Sequence, residues 1–194
     1  MNEYYLNIAS IRACTEAEGP GKRFAIWCQG CLKRCPGCCN PEMQPLEKRH
    51  VVSADGLVSL INDARSQWAI EGVSLIGGEP FLQANGLAYV AAECKKLGLT
   101  VLTFTGYLLD ELRDMEDESV EILLSHTDVL VDGPFDESQI DEARGWIGSK
   151  NQSAVFLSDA YAPGIEFCSK QSVEMLIEKD TILVNGWPYI WRSL

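Results

Sequence analysis

The sequence predicts an α/β fold built on a parallel sheet. Short β-branched or aromatic runs closed by turn residues recur along the chain, and segments with apolar residues at helical spacing lie between them. The least ordinary residues all fall at the ends of the strand-like runs, where a parallel sheet gathers its ligands.

The strand candidates are "RFAIWCQG" (23–30), "GVSLIGGEP" (72–80), "TVLTFTGY" (100–107), "DVLVDGPF" (128–135) and "SAVFLS" (153–158). Between the first two, "SADGLVSLINDARSQW" sets Leu57, Leu60, Ile61, Ala64 and Trp68 at helical spacing behind a Ser53 cap. Between the second and third, "NGLAYVAAECKKLG" puts Leu87, Val90, Ala91, Cys94 and Leu97 on one face. Asn85 is its expected N-cap and Gly98 its stop, and Cys94 reads as a small buried hydrophobe. Residues 108–126 carry Leu109, Leu112, Met115, Ile122 and Leu123 around an acidic middle, the pattern of two short helices. Such alternation is that of right-handed crossovers. The final "TILVNGWPYIWRSL" differs: two apolar runs flank Asn185-Gly186, a favoured hairpin turn, and Pro188 confines the second run to a sheet edge.

With 194 residues, 46% of them hydrophobic, the expectation is a single domain over 1–194, with a core at about 22–158 and a C-terminal extension at about 159–194. Lys and Arg number 16 against 28 Asp and Glu, a formal charge of −12 that argues against a nucleic-acid partner. No apolar run approaches the roughly 18 residues of a membrane helix. The N-terminal "MNEYYLNIAS" lacks the layout of a signal peptide, so the expected location is the cytoplasm. The basic cluster Lys33, Arg34, Lys48 and Arg49 either faces an anionic ligand or is a solvated loop. His50 and His126 are isolated and read as surface or packing residues.

Thiols are held reduced in such a compartment, so eight cysteines do not read as a disulfide framework. Five of them, Cys28, Cys31, Cys35, Cys38 and Cys39, crowd into "WCQGCLKRCPGCCN" and read as metal ligands. Cys28-x2-Cys31 with Cys35-x2-Cys38 is one option, a closed tetrahedral zinc site, although the two pairs lie closer in sequence than such sites usually place them. The other is Cys31, Cys35 and Cys38, spaced CxxxCxxC, as three thiolates of a [4Fe-4S] cluster whose fourth iron has no protein ligand. Cys14, Cys28 and Cys168 lack partners at ligand spacing and read as structural or incidental.

The CxxxCxxC spacing is similar to the signature of radical S-adenosylmethionine enzymes. The wider "QGCLKRCPGCCNPE" closely resembles the cluster loop of the proteins that activate anaerobic ribonucleotide reductase and pyruvate formate-lyase. "GGEP" (77–80), "TFTGYLLDEL" (103–112) and "DVLVDGPFDESQ" (128–139) followed by "WIGSKNQ" match the same families in order, so the resemblance covers roughly 24–152.

The resemblance implies an open partial (βα)6 barrel of about six parallel strands with a short C-terminal hairpin or cap. It further implies a [4Fe-4S] cluster held by Cys31, Cys35 and Cys38, and S-adenosylmethionine bound at its open iron, cleaved reductively to a 5′-deoxyadenosyl radical. No catalytic residue is assigned beyond the cluster. Gly37, Cys38 and Cys39 would flank the adenine. Gly77 and Gly78 would let the backbone approach the methionine moiety, and Glu79 would accept from its ammonium or brace the turn. Thr103, Thr105 and Asp132 would lie around ribose, carboxylate or substrate, and 146–152 would add a further contact. Cys39 replaces the usual aromatic or His, and its role stays open. The implied partner is a large glycyl radical enzyme, class III ribonucleotide reductase first, or a peptide substrate, with a flavodoxin- or ferredoxin-type reductant. A radical enzyme acting on a peptide or small molecule, and a zinc-stabilised interaction module, are the competing readings.

Overall fold

The computed structural model describes residues 3–168, 171–178 and 181–186. In chain order its elements are β1 (Tyr5–Thr15), β2 (Arg23–Cys28), β3 (His50–Ser53), α1 (Ala54–Trp68), β4 (Gly72–Gly77), α2 (Ala84–Lys96), β5 (Thr100–Phe104), α3 (Leu109–Arg113), α4 (Glu118–His126), β6 (Val129–Asp132), β7 (Ser153–Phe156), β8 (Val173–Glu178) and β9 (Thr181–Gly186). The architecture is mixed α/β. Seven strands form one sheet in the order β3-β1-β2-β4-β5-β6-β7, while β8 pairs with β9.

Among the described residues only β2, β4, β5 and β6 run parallel, which corrects the expected six. A parallel neighbour needs a crossover that carries the chain back along the sheet. The segment after β6 supplies none: it holds only a short 3-10 turn, Glu137–Gln139, and an Ile140–Ser149 bridge. The chain therefore returns from the end it left, and β7 pairs antiparallel with β6, Asp132 opposite Ser153. At the other edge β1 runs antiparallel to both β2 and β3; these two strands add to those expected from sequence.

The helices follow their apolar stripes. Ser53 caps α1 by accepting from Gly56 N at 3.1 Å, and Leu57, Ile61 and Ala64 are buried, whereas Leu60 and Trp68 turn out to be exposed. The N-cap of α2 is Gln83 rather than Asn85, and it caps through no side-chain bond because its amide is spent on the Asn7 backbone. Gly98 ends that helix at φ +75°, with Leu99 N donating to Cys94 O. Two short helices, α3 and α4, do fill 109–126, and Asp117 caps the second.

Strand parity divides the sheet. Phe24, Ile26, Cys28, Val73, Leu75, Val101 and Leu130 pack with the apolar residues of α1, α2 and α4. The alternate residues face the other way, Ala25, Trp27 and Ile76 in one cluster and Leu102, Val129 and Val131 with Trp146 and Ile147 in another. That second face carries the site.

The expected turn at Asn185-Gly186 is also corrected. The observed hairpin pairs β8 with β9, Met175 opposite Val184 and Ile177 opposite Ile182, and Asn185 and Gly186 close β9 instead. Their polar groups are engaged elsewhere: the Asn185 amide donates to Thr15 Oγ1 at 2.9 Å, and Gly186 N donates to Glu18 Oε1 at 2.7 Å. The second apolar run, 187–194, lies outside the described residues.

Candidate active site at the strand ends

A cavity of about 520 Å³ opens on the second face of the sheet, where β2, β4, β5 and β6 end. Trp27, Ile76 and Phe104 form its floor, because their parity points them away from the helices. The loop after β2 brings Cys31, Cys35, Cys38 and Cys39 to one wall. Gly77 closes β4, Gly78 and Glu79 come from the loop after it, Thr105 from that after β5, and Trp146, Gly148 and Gln152 from the long segment after β6. Convergence of the strand-end motifs, expected from sequence, is thus observed.

The parity that builds the floor removes Cys28. It is fully buried on the helix side, and burial, reinforced by the charge of Glu79, drives its thiol far above the ordinary range. Cys28 therefore shares no wall with the other thiols. Cys35 is half-buried; burial raises its pKa, opposed by a hydrogen bond from the Phe135 backbone. Among the described residues, no three His, Cys, Asp or Glu side chains are gathered around a point suited to one metal ion. A four-iron cluster takes each thiolate at a different corner and makes no such demand. Three thiols on one cavity wall fit that group. An open polar valence fits a bound cofactor as well: Trp146, on the cavity wall, buries an indole N–H that has no acceptor among the described residues.

Gly77, which closes β4, and Gly78 line the cavity and also hold its walls together. Gly77 has φ +96°, and a Cβ there would meet Cys28 N at 2.5 Å; a Cβ on Gly78 would strike Gly30 O. The space a side chain would take is filled by the protein's own backbone, so these residues let two loops approach each other. Gly78 N and Glu79 N fasten the contact, donating to Cys28 O and Gly30 O at 2.8 Å each.

Glu79 is a brace. Its carboxylate accepts from Phe81 N (3.1 Å), Thr105 Oγ1 (2.8 Å) and Gly106 N (2.9 Å), linking the loops after β4 and β5. Burial lifts its pKa to about 7, against the lowering effect of those donors. Thr105 is held in the same linkage and lines the cavity.

Other expected residues lie off the cavity. Asp132 shares the parity of Leu130, and its Oδ2 accepts from Leu109 N at 2.9 Å, holding the start of α3; its Oδ1 has no partner among the described residues. Thr103 faces the helices and pairs with Thr127 at 3.0 Å. Gly37 turns the loop between Cys35 and Cys38 at φ +67°, against the Glu137 side chain, and is not among the lining residues.

Lys33 was expected only as part of a basic cluster, yet it clamps the cysteine loop. Its ammonium lies 3.0 Å from Glu111 Oε2 and 4.1 Å from the centre of the Tyr107 ring. Its position between Cys31 and Cys35 was the available signal.

Residues 17–155 match the model of the 4Fe-4S single cluster domain family. The anaerobic ribonucleoside-triphosphate reductase-activating protein of Vibrio cholerae is 36% identical over 69% of this chain and 87% of its own length. The Escherichia coli K12 protein of the same name is 34% identical, over 69% of this chain and 88% of its own. The pyruvate formate-lyase-activating enzyme of Staphylococcus aureus is 30% identical over 64% of this chain and 51% of its own.

Proposed function

This chain belongs to the 4Fe-4S single cluster domain family, with the glycyl radical enzyme activases of the radical S-adenosylmethionine superfamily as its relatives, and from that premise we propose that it installs a glycyl radical on a partner enzyme. The observation that carries this is the placement of Cys31, Cys35 and Cys38 on one wall of the strand-end cavity. Class III ribonucleotide reductase is the first candidate partner, given the names of the relatives. A flavodoxin- or ferredoxin-type donor supplies the electron. The cavity on one sheet face, walled by strand-end loops, supports reading the sheet as an open partial barrel within a single domain.

Cys31, Cys35 and Cys38 would hold the cluster. When bound, cluster and S-adenosylmethionine together supply reductive cleavage of the sulfonium to a radical that removes a hydrogen atom from glycine. The protein's work is positional. The Phe135 backbone beside the Cys35 thiol favours its thiolate, the form that a cluster would require. Glu79 keeps the loops after β4 and β5 in register, and both of these loops are fastened to the cysteine loop. Trp27, Ile76 and Phe104 present an apolar floor that excludes water from a reactive centre.

Anaerobic reconstitution tests the reading: the chain should take up about four irons and four sulfides and cleave S-adenosylmethionine under reduction. Cys31→Ala, Cys35→Ala and Cys38→Ala should each abolish that cleavage, while Cys28→Ala retains it. Stoichiometric zinc in place of the cluster rejects the proposal.

A further inference from the structure

The family match ends at residue 155, and the β8–β9 hairpin lies beyond it. The hairpin is firmly seated. Besides the bonds from Asn185 and Gly186, Arg12 Nε donates to Asn185 Oδ1 at 3.3 Å and Glu16 N donates to Glu174 Oε1 at 2.8 Å. This seat puts Leu183, Val184, Asn185 and Gly186 into the cavity lining, so the hairpin is part of the mouth.

Its register places Met175, Ile177, Ile182 and Val184 on one face, and they are 56%, 72%, 63% and 42% exposed. Four large uncharged side chains form an apolar stripe that starts in the cavity wall and runs outward. A cavity of about 520 Å³ suits a cofactor and a short stretch of polypeptide, and leaves a folded partner outside on the rim. A stable pair of copies buries about 800 Å² per partner over some 20 to 30 residues. The stripe falls well short of that. Its size suits a contact that forms and releases, as an activator that turns over requires.

We propose that this stripe is the docking surface for the partner enzyme, engaging an apolar patch beside the partner's glycine segment while that segment enters the cavity. The proposal rests on the function proposed above and adds where the partner is recognised.

The test uses full-length class III ribonucleotide reductase as the probe and measures its binding to the cluster-loaded chain. Ile177→Asp and Ile182→Asp, both at exposed positions, should each weaken binding tenfold or more, and Ile177→Leu should restore it. Cleavage of S-adenosylmethionine without partner should be unchanged in all three. A synthetic peptide of the glycine segment, which reaches only the cavity, should bind wild type and variants alike. Unchanged affinity for the reductase overturns the proposal, as does an equal loss for reductase and peptide. A wild-type dimer that Ile177→Asp splits assigns the stripe to a second copy and overturns it too. So does destabilisation by Ile177→Asp that disappears when residues 187–194 are removed, which assigns the stripe to the chain's own terminus. Failure of wild type to cleave S-adenosylmethionine rejects the proposed chemistry and leaves the binding comparison standing as the test of the surface.

Discussion

Arg23 begins β2 with its guanidinium fully buried, and burial lowers its pKa. Its donors reach Ser74 Oγ (2.7 Å), Pro20 O (3.1 Å), Tyr161 OH (3.0 Å) and Val73 O (2.6 Å). Those bonds join the starts of β2 and β4 to the segment after β7, at the end of the sheet away from the cavity. Arg23→Leu strips the donors from the Pro20 and Val73 carbonyls at once, so urea unfolding should show a loss on the order of 3 kcal/mol or more. Tyr161→Phe removes one partner and should cost about 1 kcal/mol. The same residue scale shows what the sequence could and could not disclose. Spacing offered Cys31, Cys35 and Cys38 as one of two ligand sets; the structure brings those three thiols to one cavity, and the alternation that sends Trp27 to the cavity sends Cys28 to the helices. Asp132 and Thr103 were misplaced because a position at a strand end does not state a side chain's parity; each belongs to the helix-facing set.

At the level of elements, the cysteine loop is held to the loop after β5 by Lys33. The stem of Lys33 packs over Gly106, where a Cβ would meet its Cγ at 2.8 Å, and its ammonium pairs with Glu111 on α3. Glu111 also accepts from Leu108 N at 2.7 Å, which with the Lys33 contact holds its pKa below the usual carboxylate value. The pair is partly exposed, so Lys33→Ala should cost no more than about 1 kcal/mol of global stability. Local order is what it should change: amide hydrogen exchange across 31–39 should speed several-fold, with little change in the strands, and Lys33→Arg should restore protection. Helices and parallel strands were readable from their periods, since each buries one face. The reversal of β7 was hidden because a strand's composition does not record its direction; only the lack of a helix between Asp132 and Ser153 does. β1 was obscured by its own mixed pattern, with Leu6 and Ile8 buried but Ser10 and Ile11 exposed. The hairpin turn was assigned to Asn185-Gly186 on local preference, and the bonds from these residues to Thr15 and Glu18, about 170 positions distant, overrode it.

For the molecule as a whole, two shielded carboxyls, Glu79 buried and Glu18 half-buried, set the pH response of the cavity walls. Glu18 anchors the hairpin and Glu79 ties the loops after β4 and β5; burial raises each from 4.5 to about 7 despite the donors that favour their charged forms. A raised carboxyl pKa means the folded state holds the proton more tightly than the unfolded chain. The stability tied to that proton is fully present below pH 4.5 and is lost as pH rises through about 7. Asp141 acts in the opposite sense: burial raises its pKa, but donors from Ala143 and Arg144 outweigh burial and hold it below 3.8, so its contribution fades only in acid. The windows do not overlap. Between pH 5 and 8, the wild-type chain should therefore lose roughly 2 to 3 kcal/mol relative to a variant lacking buried Glu79, and less relative to one lacking half-buried Glu18. Denaturant midpoints measured across that range for wild type, Glu18→Gln and Glu79→Gln should show the steepest decline in wild type and a shallower slope in each variant. Equal slopes in all three would mean that neither carboxyl keeps its proton on folding, and that the hairpin and the strand-end loops are held by ionised anchors throughout.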